Sequence, residues 1–330
     1  YDDRAKNWKR SLAEEYNIDI MYLADHPPNG LSDFGKVVVA RLERAYLIEG
    51  SKTIVNDIIG NMTINKSLYR ASNKSLFNHT EYDGIMFFYN KAIFDSRLSG
   101  TKVPKKKTAI CINNEKWRYE KGMKEFLDNY ANCKIVIGCN NYIIDELNKY
   151  NTNAAYASQL VNDEVFFPKK RKPFDKDNIV LGFSGKKENP WKNFKMIEEA
   201  CRGAGVELKV ASNRPRGELN DWYSDVDGII CASTAEGGPM CLLEAGACKT
   251  PVISTVVGLG RQFLSENTAI TIKANKKSII DGVLSLKSHY VKATKNAENL
   301  YKIIKKDFTY KSKSSDMANA LARLCEGDND

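Results

Sequence analysis

Glu236 and Glu244 stand eight residues apart in the stretch SDVDGIICASTAEGGPMCLLEAGACKTPVISTVVGLG, which runs from Ser224 to Gly260. An ionised carboxylate accepts hydrogen bonds at two oxygens, so it can grip a pair of vicinal hydroxyls through charge-assisted bonds. Separated by eight residues, the two carboxylates lie at different heights, one suited to a sugar and the other to a ribose. Gly237 and Gly238 follow the first glutamate, and without Cβ atoms they let backbone N–H groups approach a ligand closely.

These residues need a strand, a turn and a helix to hold them. The run Gly228-Ile229-Ile230-Cys231-Ala232 is short, β-branched and bounded by polar residues, which predicts a buried parallel strand. A turn over Thr234-Ala235-Glu236-Gly237-Gly238-Pro239 follows. Pro239 suits a helix start, and Met240, Leu242, Leu243, Ala245 and Ala247 supply the apolar faces. Lys249-Thr250-Pro251 ends that helix before the strand Val252-Ile253-Ser254. Such a unit sets free N–H groups and a positive dipole end at the C-terminal edge of a parallel sheet, a place for a nucleotide diphosphate.

A second loop has similar chemistry. The strand Ile179 to Ser184 runs into Gly185-Lys186-Lys187-Glu188-Asn189-Pro190-Trp191-Lys192-Asn193, and a helix through Met196, Ile197 and Ala200 follows. A glycine succeeded by cations between strand and helix suits a diphosphate. Lys187 reads as a surface residue.

The whole string around the glutamates resembles the signature of GT-B retaining glycosyltransferases of the group 1 (family 4) type. The resemblance implies an α/β fold of GT-B architecture, with two Rossmann-like domains facing a central cleft. It implies a nucleotide diphosphate-sugar donor, no cofactor and no metal. Glu236 would face the donor sugar and Glu244 the donor ribose. Lys186 and Lys192 fall where the family has an Arg and a Lys on the donor phosphates; lysine for arginine keeps the charge and loses the bidentate fork. The expected catalytic set is Glu236, Lys192 and Lys186, and the expected donor-binding set is Glu244, Gly237, Gly238, Pro239, Met240, Cys241 and Gly185.

The chain departs from the family at two points. Gly237-Gly238-Pro239 replaces Gly-Phe-Gly, which bears on sugar preference. At the end of the strand Thr108 to Ile112, where many relatives have a histidine near the transferred sugar, this chain has Asn113, which donates a hydrogen bond but takes up no proton. Asn113, Asn114 and His26 form the expected acceptor side. Asp225-Val226-Asp227 imitates a metal motif of a different glycosyltransferase fold, but its place just before a buried strand argues against a metal site.

Along the chain, Asp2 to Tyr16 predicts an amphipathic helix, Ile18 to Leu23 a strand, Asp33 to Ile48 a helix and Asp83 to Tyr89 a strand. Lys134 to Cys139 predicts a strand running into a helix. The segment Ala155 to Pro168 resembles the family's interdomain strand and the motif after it. Phe308-Thr309-Tyr310 leads to a last helix carrying Met317, Leu321 and Leu324. The expected domains are 1–168, acceptor-binding and lacking a counterpart of the family's first strand, 169–307, nucleotide-sugar-binding, and 308–330, a helix crossing back to the first.

Composition limits the alternatives. The chain has 330 residues, 42% of them hydrophobic, room for two domains with cores of their own. No apolar run is long enough to span a membrane. Eight cysteines show no Cys-x-x-Cys pairing and read as reduced core residues. The Asn-x-Ser/Thr triplets at Asn61, Asn65, Asn73 and Asn78 read as accidents of an Asn- and Lys-rich chain. The net charge of +9 gathers in basic runs at 105–107, 169–172 and 287–306, each suited to an anionic membrane surface, a nucleic acid or a diphosphate, and each, taken singly, reading first as a solvated loop or helix face.

The expected activity is that of a cytoplasmic hexosyl- or pentosyltransferase moving a sugar to an acceptor hydroxyl with retention; glycan, lipid, protein and DNA acceptors stay open. Two rivals stand beside it. A DNA-modifying glycosyltransferase acting on hydroxylated bases is favoured by the charge. A non-catalytic nucleotide-sugar or glycan binder is favoured by the missing histidine.

Overall fold

A computed structural model describes residues 23–24, 34–40, 46–49, 84–87 and 108–112, and residues 133–325 apart from 151, 213 and 215. The chain divides into two compact units. One comprises Tyr1–Asn113, Trp117–Ala157 and Ser314–Asp330, the other Asn114–Lys116 and Ser158–Lys313. The helix expected at Asp2 to Tyr16, the start of the strand at Ile18 and the residues His26, Asn113 and Asn114 lie outside the described residues.

The described strands of the first unit are β1 (Leu23–Ala24), β2 (Phe34–Ala40), β3 (Tyr46–Glu49), β4 (Gly84–Phe87), β5 (Thr108–Ile112), β6 (Ile135–Gly138) and β7 (Ala154–Tyr156). They form one sheet in the order β1-β2-β4-β5-β6-β7, with β3 also on β2. Pairing is parallel from β4 to β7 and antiparallel wherever β2 takes part. The helix expected over Asp33 to Ile48 is therefore corrected to strands β2 and β3. Their Val37-Val38-Val39 run explains the outcome, because adjacent β-branched side chains crowd a helix and pack well on a pleated surface. Helix α1 (Asn141–Asn148) follows β6, its start capped by Asn140, whose side chain accepts from the Ile143 N–H at 2.9 Å. Ile143 and Leu147, one turn apart, are its buried residues.

The second unit alternates strands and helices: β8 (Val180–Ser184), α2 (Phe194–Gly203), β9 (Glu207–Ala211), α3 (Arg216–Asp225), β10 (Gly228–Cys231), α4 (Met240–Ala247), β11 (Val252–Thr255), β12 (Ile270–Ile272), α5 (Lys276–Ser288) and α6 (Tyr290–Asp307). Its described strands run in the order β12-β11-β10-β8-β9, all parallel. Alternate residues supply two cores, one per face, as the two-residue period of a strand requires. Val180, Ile229 and Val252 pack with Leu242 and Leu243 of α4 and Leu300 and Ile304 of α6. Leu181, Ile230 and Ile253 pack with Ile197 of α2 and Ile279 and Val283 of α5. This is a doubly wound α/β unit, which directs its strand ends and loops to one edge.

Leu300 is fully buried in the first of these cores. Leu300→Ala is expected to cost about 2–5 kcal/mol through lost transfer energy and a residual cavity, read as a lower midpoint of denaturant unfolding; an unchanged midpoint would refute this packing.

The last helix, α7 (Tyr310–Cys325), departs from helical geometry at Lys313. Beyond that break, Arg323 donates to the carbonyl of Ala154 at 2.9 Å, a contact within the first unit. Among the described residues, no helix is long and apolar enough to cross a membrane.

Candidate functional site

The second unit brings the glycine loop after β8 and the glutamate turn after β10 together. Gly185 has φ +144°, and a Cβ there would lie 2.9 Å from both Cδ and Cε of Lys192. Glycine lets the lysine stem lie across the loop. Lys192 ends a short 3-10 turn, Pro190–Lys192, opened by Asn189, whose side chain accepts from the Trp191 N–H. The Trp191 carbonyl in turn accepts from the Thr234 N–H at 2.9 Å, tying this turn to the chain just beyond β10.

Lys192 Nζ lies 2.7 Å from Glu236 Oε1, and the Ser233 hydroxyl donates to the same oxygen at 2.9 Å. The two charged side chains are only 17% and 18% exposed. Burial on its own would lower the Lys192 pKa, but the attraction of the Glu236 carboxylate outweighs it, and the ammonium stays charged beyond the usual lysine range. The pair therefore places a fixed positive charge against a fixed acceptor at the C-terminal edge of the sheet.

The backbone of the glutamate turn is braced on both sides. Gly258, at φ +54°, lies so close that a Cβ would come within 2.4 Å of the Glu236 carbonyl oxygen, and the Leu259 N–H donates to the Gly237 carbonyl at 2.7 Å. A Cβ on Gly238 would sit 2.6 Å from Cδ of the buried Gln159. Pro239 then leads into α4 in an extended conformation, and no side chain caps the N-terminus formed by Met240 and Cys241. The first-turn N–H groups of a helix have no intrahelical acceptors, so an uncapped start suits an anion.

Glu244 lies a turn further along α4, 5% exposed, its Oε2 accepting from the Tyr223 hydroxyl at 2.7 Å. Burial, with Glu244 close by, raises the Tyr223 phenol well above its ordinary pKa, so it remains a donor. Cys231, at the end of β10, is buried and lies 3.5 Å from the Ser233 hydroxyl. The neighbouring Cys241 and the Lys192 charge lower the Cys231 thiol against the effect of burial.

Of the residues expected from the sequence, Gly185, Lys192, Glu236, Gly237 and Gly238 are brought together. Pro239, Met240, Cys241 and Glu244 are carried on the adjoining helix start. Lys186 sits exposed on the loop after Gly185. Lys187 is also exposed, its ammonium 4.8 Å from the Phe194 ring centroid, a surface role. The acidic pair Asp225 and Asp227 separates. The buried Asp227 accepts from the Val180 N–H at 2.8 Å, while Asp225 pairs with Lys209 at the surface.

Ser233, Gln159, Tyr223 and Gly258 were not legible as site residues. Gly258 had a visible signal in the Val257-Gly258-Leu259-Gly260 sequence after a strand. Tyr223 reads only as a core aromatic.

Residues 170–307 match the family model described as glycosyl transferases group 1. Over 115 residues the chain is 33% identical to a D-inositol 3-phosphate glycosyltransferase of Paenarthrobacter aurescens (strain TC1), covering 33% of this chain and 26% of that protein. A relative of the same name from Arthrobacter sp. (strain FB24) is 30% identical over 119 residues, covering 36% of this chain and 27% of that protein. The chain thus spans about a quarter of the length of the curated relatives it matches.

Among solved structures, Anabaena Alr3699/HepE in complex with UDP and glucose is similar with a TM-score of 0.66 at 12% identity, over 93% of this chain and 99% of that one. Sucrose-phosphate synthase from Thermosynechococcus elongatus gives 0.65 at 11% identity, over 97% and 92%. At such identities the likeness speaks for the fold. Residues 170–307 carry the domain of the group 1 glycosyl transferases, and the chain has the GT-B type of α/β fold.

Proposed function

We propose that the chain is a retaining glycosyltransferase whose second unit binds a nucleotide diphosphate-sugar, with uridine the favoured base, and whose first unit takes the acceptor. The observation that carries this reading is the partly buried Lys192–Glu236 pair laid over Gly185, beside the uncapped start of α4. Uridine is favoured because Alr3699/HepE was solved with UDP-glucose and with UDP and glucose.

In the proposed reaction the bond between the anomeric carbon and the diphosphate oxygen breaks, and a bond from that carbon to the acceptor oxygen forms on the same face. The acceptor proton passes to the departing phosphate oxygen, so no side-chain base is required and Asn113 in place of a histidine is compatible with turnover. Negative charge grows on the diphosphate, and stabilising it is the largest catalytic contribution. Lys192, Lys186 and the N–H groups at Gly237, Gly238 and the start of α4 supply that stabilisation without a metal. Glu236, held in orientation by Lys192 and Ser233, meets the sugar hydroxyls, and Glu244 meets the ribose.

Removing the Glu244 carboxylate takes away a charge-assisted hydrogen bond. Glu244→Ala is expected to weaken donor binding by roughly 1.5–3 kcal/mol, about tenfold to a hundredfold in Kd. Titration calorimetry with the donor measures this directly; an unchanged Kd would remove Glu244 from the ribose role.

A further inference from the structure

Glu244 is a buried carboxylate near the middle of an eight-residue helix, and such a group needs a partner to hold its orientation. One such partner is Tyr223 on α3, whose hydroxyl lies 2.7 Å from Oε2. Tyr223 is itself fully buried and fixed from several directions. Its ring packs edge-on against Phe166 and Trp222, with centroids 6.0 Å and 5.0 Å apart. Its carbonyl accepts from the Thr250 hydroxyl at 2.8 Å and from the Arg171 guanidinium at 3.1 Å. One fixed phenol on α3 thus donates to the carboxylate of α4.

We propose that Tyr223 is a positioning residue for ribose recognition: its hydroxyl, held by a ring that cannot swing, fixes the plane of the Glu244 carboxylate and so sets the preference for a ribose over a deoxyribose. The inference rests on the reading of Glu244 as the ribose carboxylate. A carboxylate oxygen with two lone pairs can accept from Tyr223 and still receive a ligand hydroxyl. Replacing the phenol by phenylalanine keeps the ring packing but removes the 2.7 Å donor to Oε2, so the loss falls on the orientation of Glu244. A phenol that only filled the core would change stability and leave sugar discrimination alone.

The test titrates the full chain with UDP and with 2′-deoxy-UDP and 3′-deoxy-UDP. Wild-type protein is expected to prefer UDP over at least one deoxy analogue by about tenfold, the scale of one lost charge-assisted hydrogen bond. Glu244→Gln should erase that preference, and Tyr223→Phe should cut it to about a third or less while raising the donor KM by a larger factor than it lowers kcat. If Glu244→Gln erases the preference and Tyr223→Phe retains it in full, the inference about Tyr223 is overturned and the ribose reading stands. If Glu244→Gln itself retains the preference, the ribose reading falls and the inference with it.

Should Tyr223→Phe fail to fold, the double variant Tyr223→Phe with Glu244→Gln removes the buried carboxylate charge together with its phenol donor. It should bind UDP as Glu244→Gln alone does, since the tyrosine acts through the glutamate. A further several-fold loss in the double variant would show that Tyr223 acts independently, against the proposal.

Discussion

Lys192→Met is expected to lower kcat by about a hundredfold to a thousandfold, the size of effect seen when a single preorganised donor to a developing oxyanion is removed. Methionine keeps an apolar stem to pack over Gly185, so the change isolates the charge from the packing. The ammonium is largely buried, 2.7 Å from Glu236, and stays protonated beyond the ordinary lysine range. In such an environment a charge on a leaving diphosphate is stabilised far more than it would be in bulk water. Loss of Lys192 also leaves Glu236 with the Ser233 hydroxyl as its remaining donor among those bonded to Oε1, which adds to the cost by loosening the sugar contact. Steady-state turnover of a labelled donor checks the result. Equal turnover in wild type and variant would refute the phosphate role of Lys192.

Gly258→Ala is expected to disable donor binding from a position that need not touch the donor. An alanine there would hold a left-handed conformation costing about 1–2 kcal/mol. Its Cβ would also lie 2.4 Å from the Glu236 carbonyl and 2.6 Å from the Gly237 carbonyl. Those are backbone atoms, which cannot rotate away as a side-chain tip can, so the turn carrying Glu236 must move. A shift of that kind should weaken donor binding at least about tenfold and lower the melting temperature by several degrees, consistent with a strain of roughly 1–3 kcal/mol. Gly203→Ala is the control, because a Cβ at Gly203 meets nothing within 4 Å. It should leave both measurements nearly unchanged. Identical donor affinity in Gly258→Ala and wild type would mean that the turn is not the donor-binding element.

The legibility of the chain follows the range of each interaction. The strand at Thr108–Ile112 and the unit from Gly228 to Thr255 were legible because apolar period, turn glycines and flanking polar residues agree within a few positions. Over Asp33 to Ile48 the sequence predicts one helix, where the structure has strands Phe34–Ala40 and Tyr46–Glu49. There the apolar residues also fit a helical spacing, and pairing along the sheet, a non-local effect, decided the outcome.

In the site, Lys192 and Glu236 were each legible from their own loop, but their contact spans 44 residues. Parallel strands bring both loops to one edge, which makes the meeting understandable without making its 2.7 Å geometry predictable. The burial of Glu244 against Tyr223 had no local signal at all. A glutamate in an otherwise apolar helix reads the same whether it faces a ligand or a buried phenol.

In the proposed function the second unit grips a nucleotide diphosphate-sugar through Lys192, Glu236 and Glu244. A thermal-shift panel of nucleotide diphosphate-sugars on wild type and Glu244→Ala tests it most directly, because a ligand that binds only the folded chain raises apparent stability by mass action. At least one sugar nucleotide, with UDP-glucose the first candidate, should raise the melting temperature saturably in wild type and much less in Glu244→Ala. A panel that moves neither protein, or moves both equally, would contradict it.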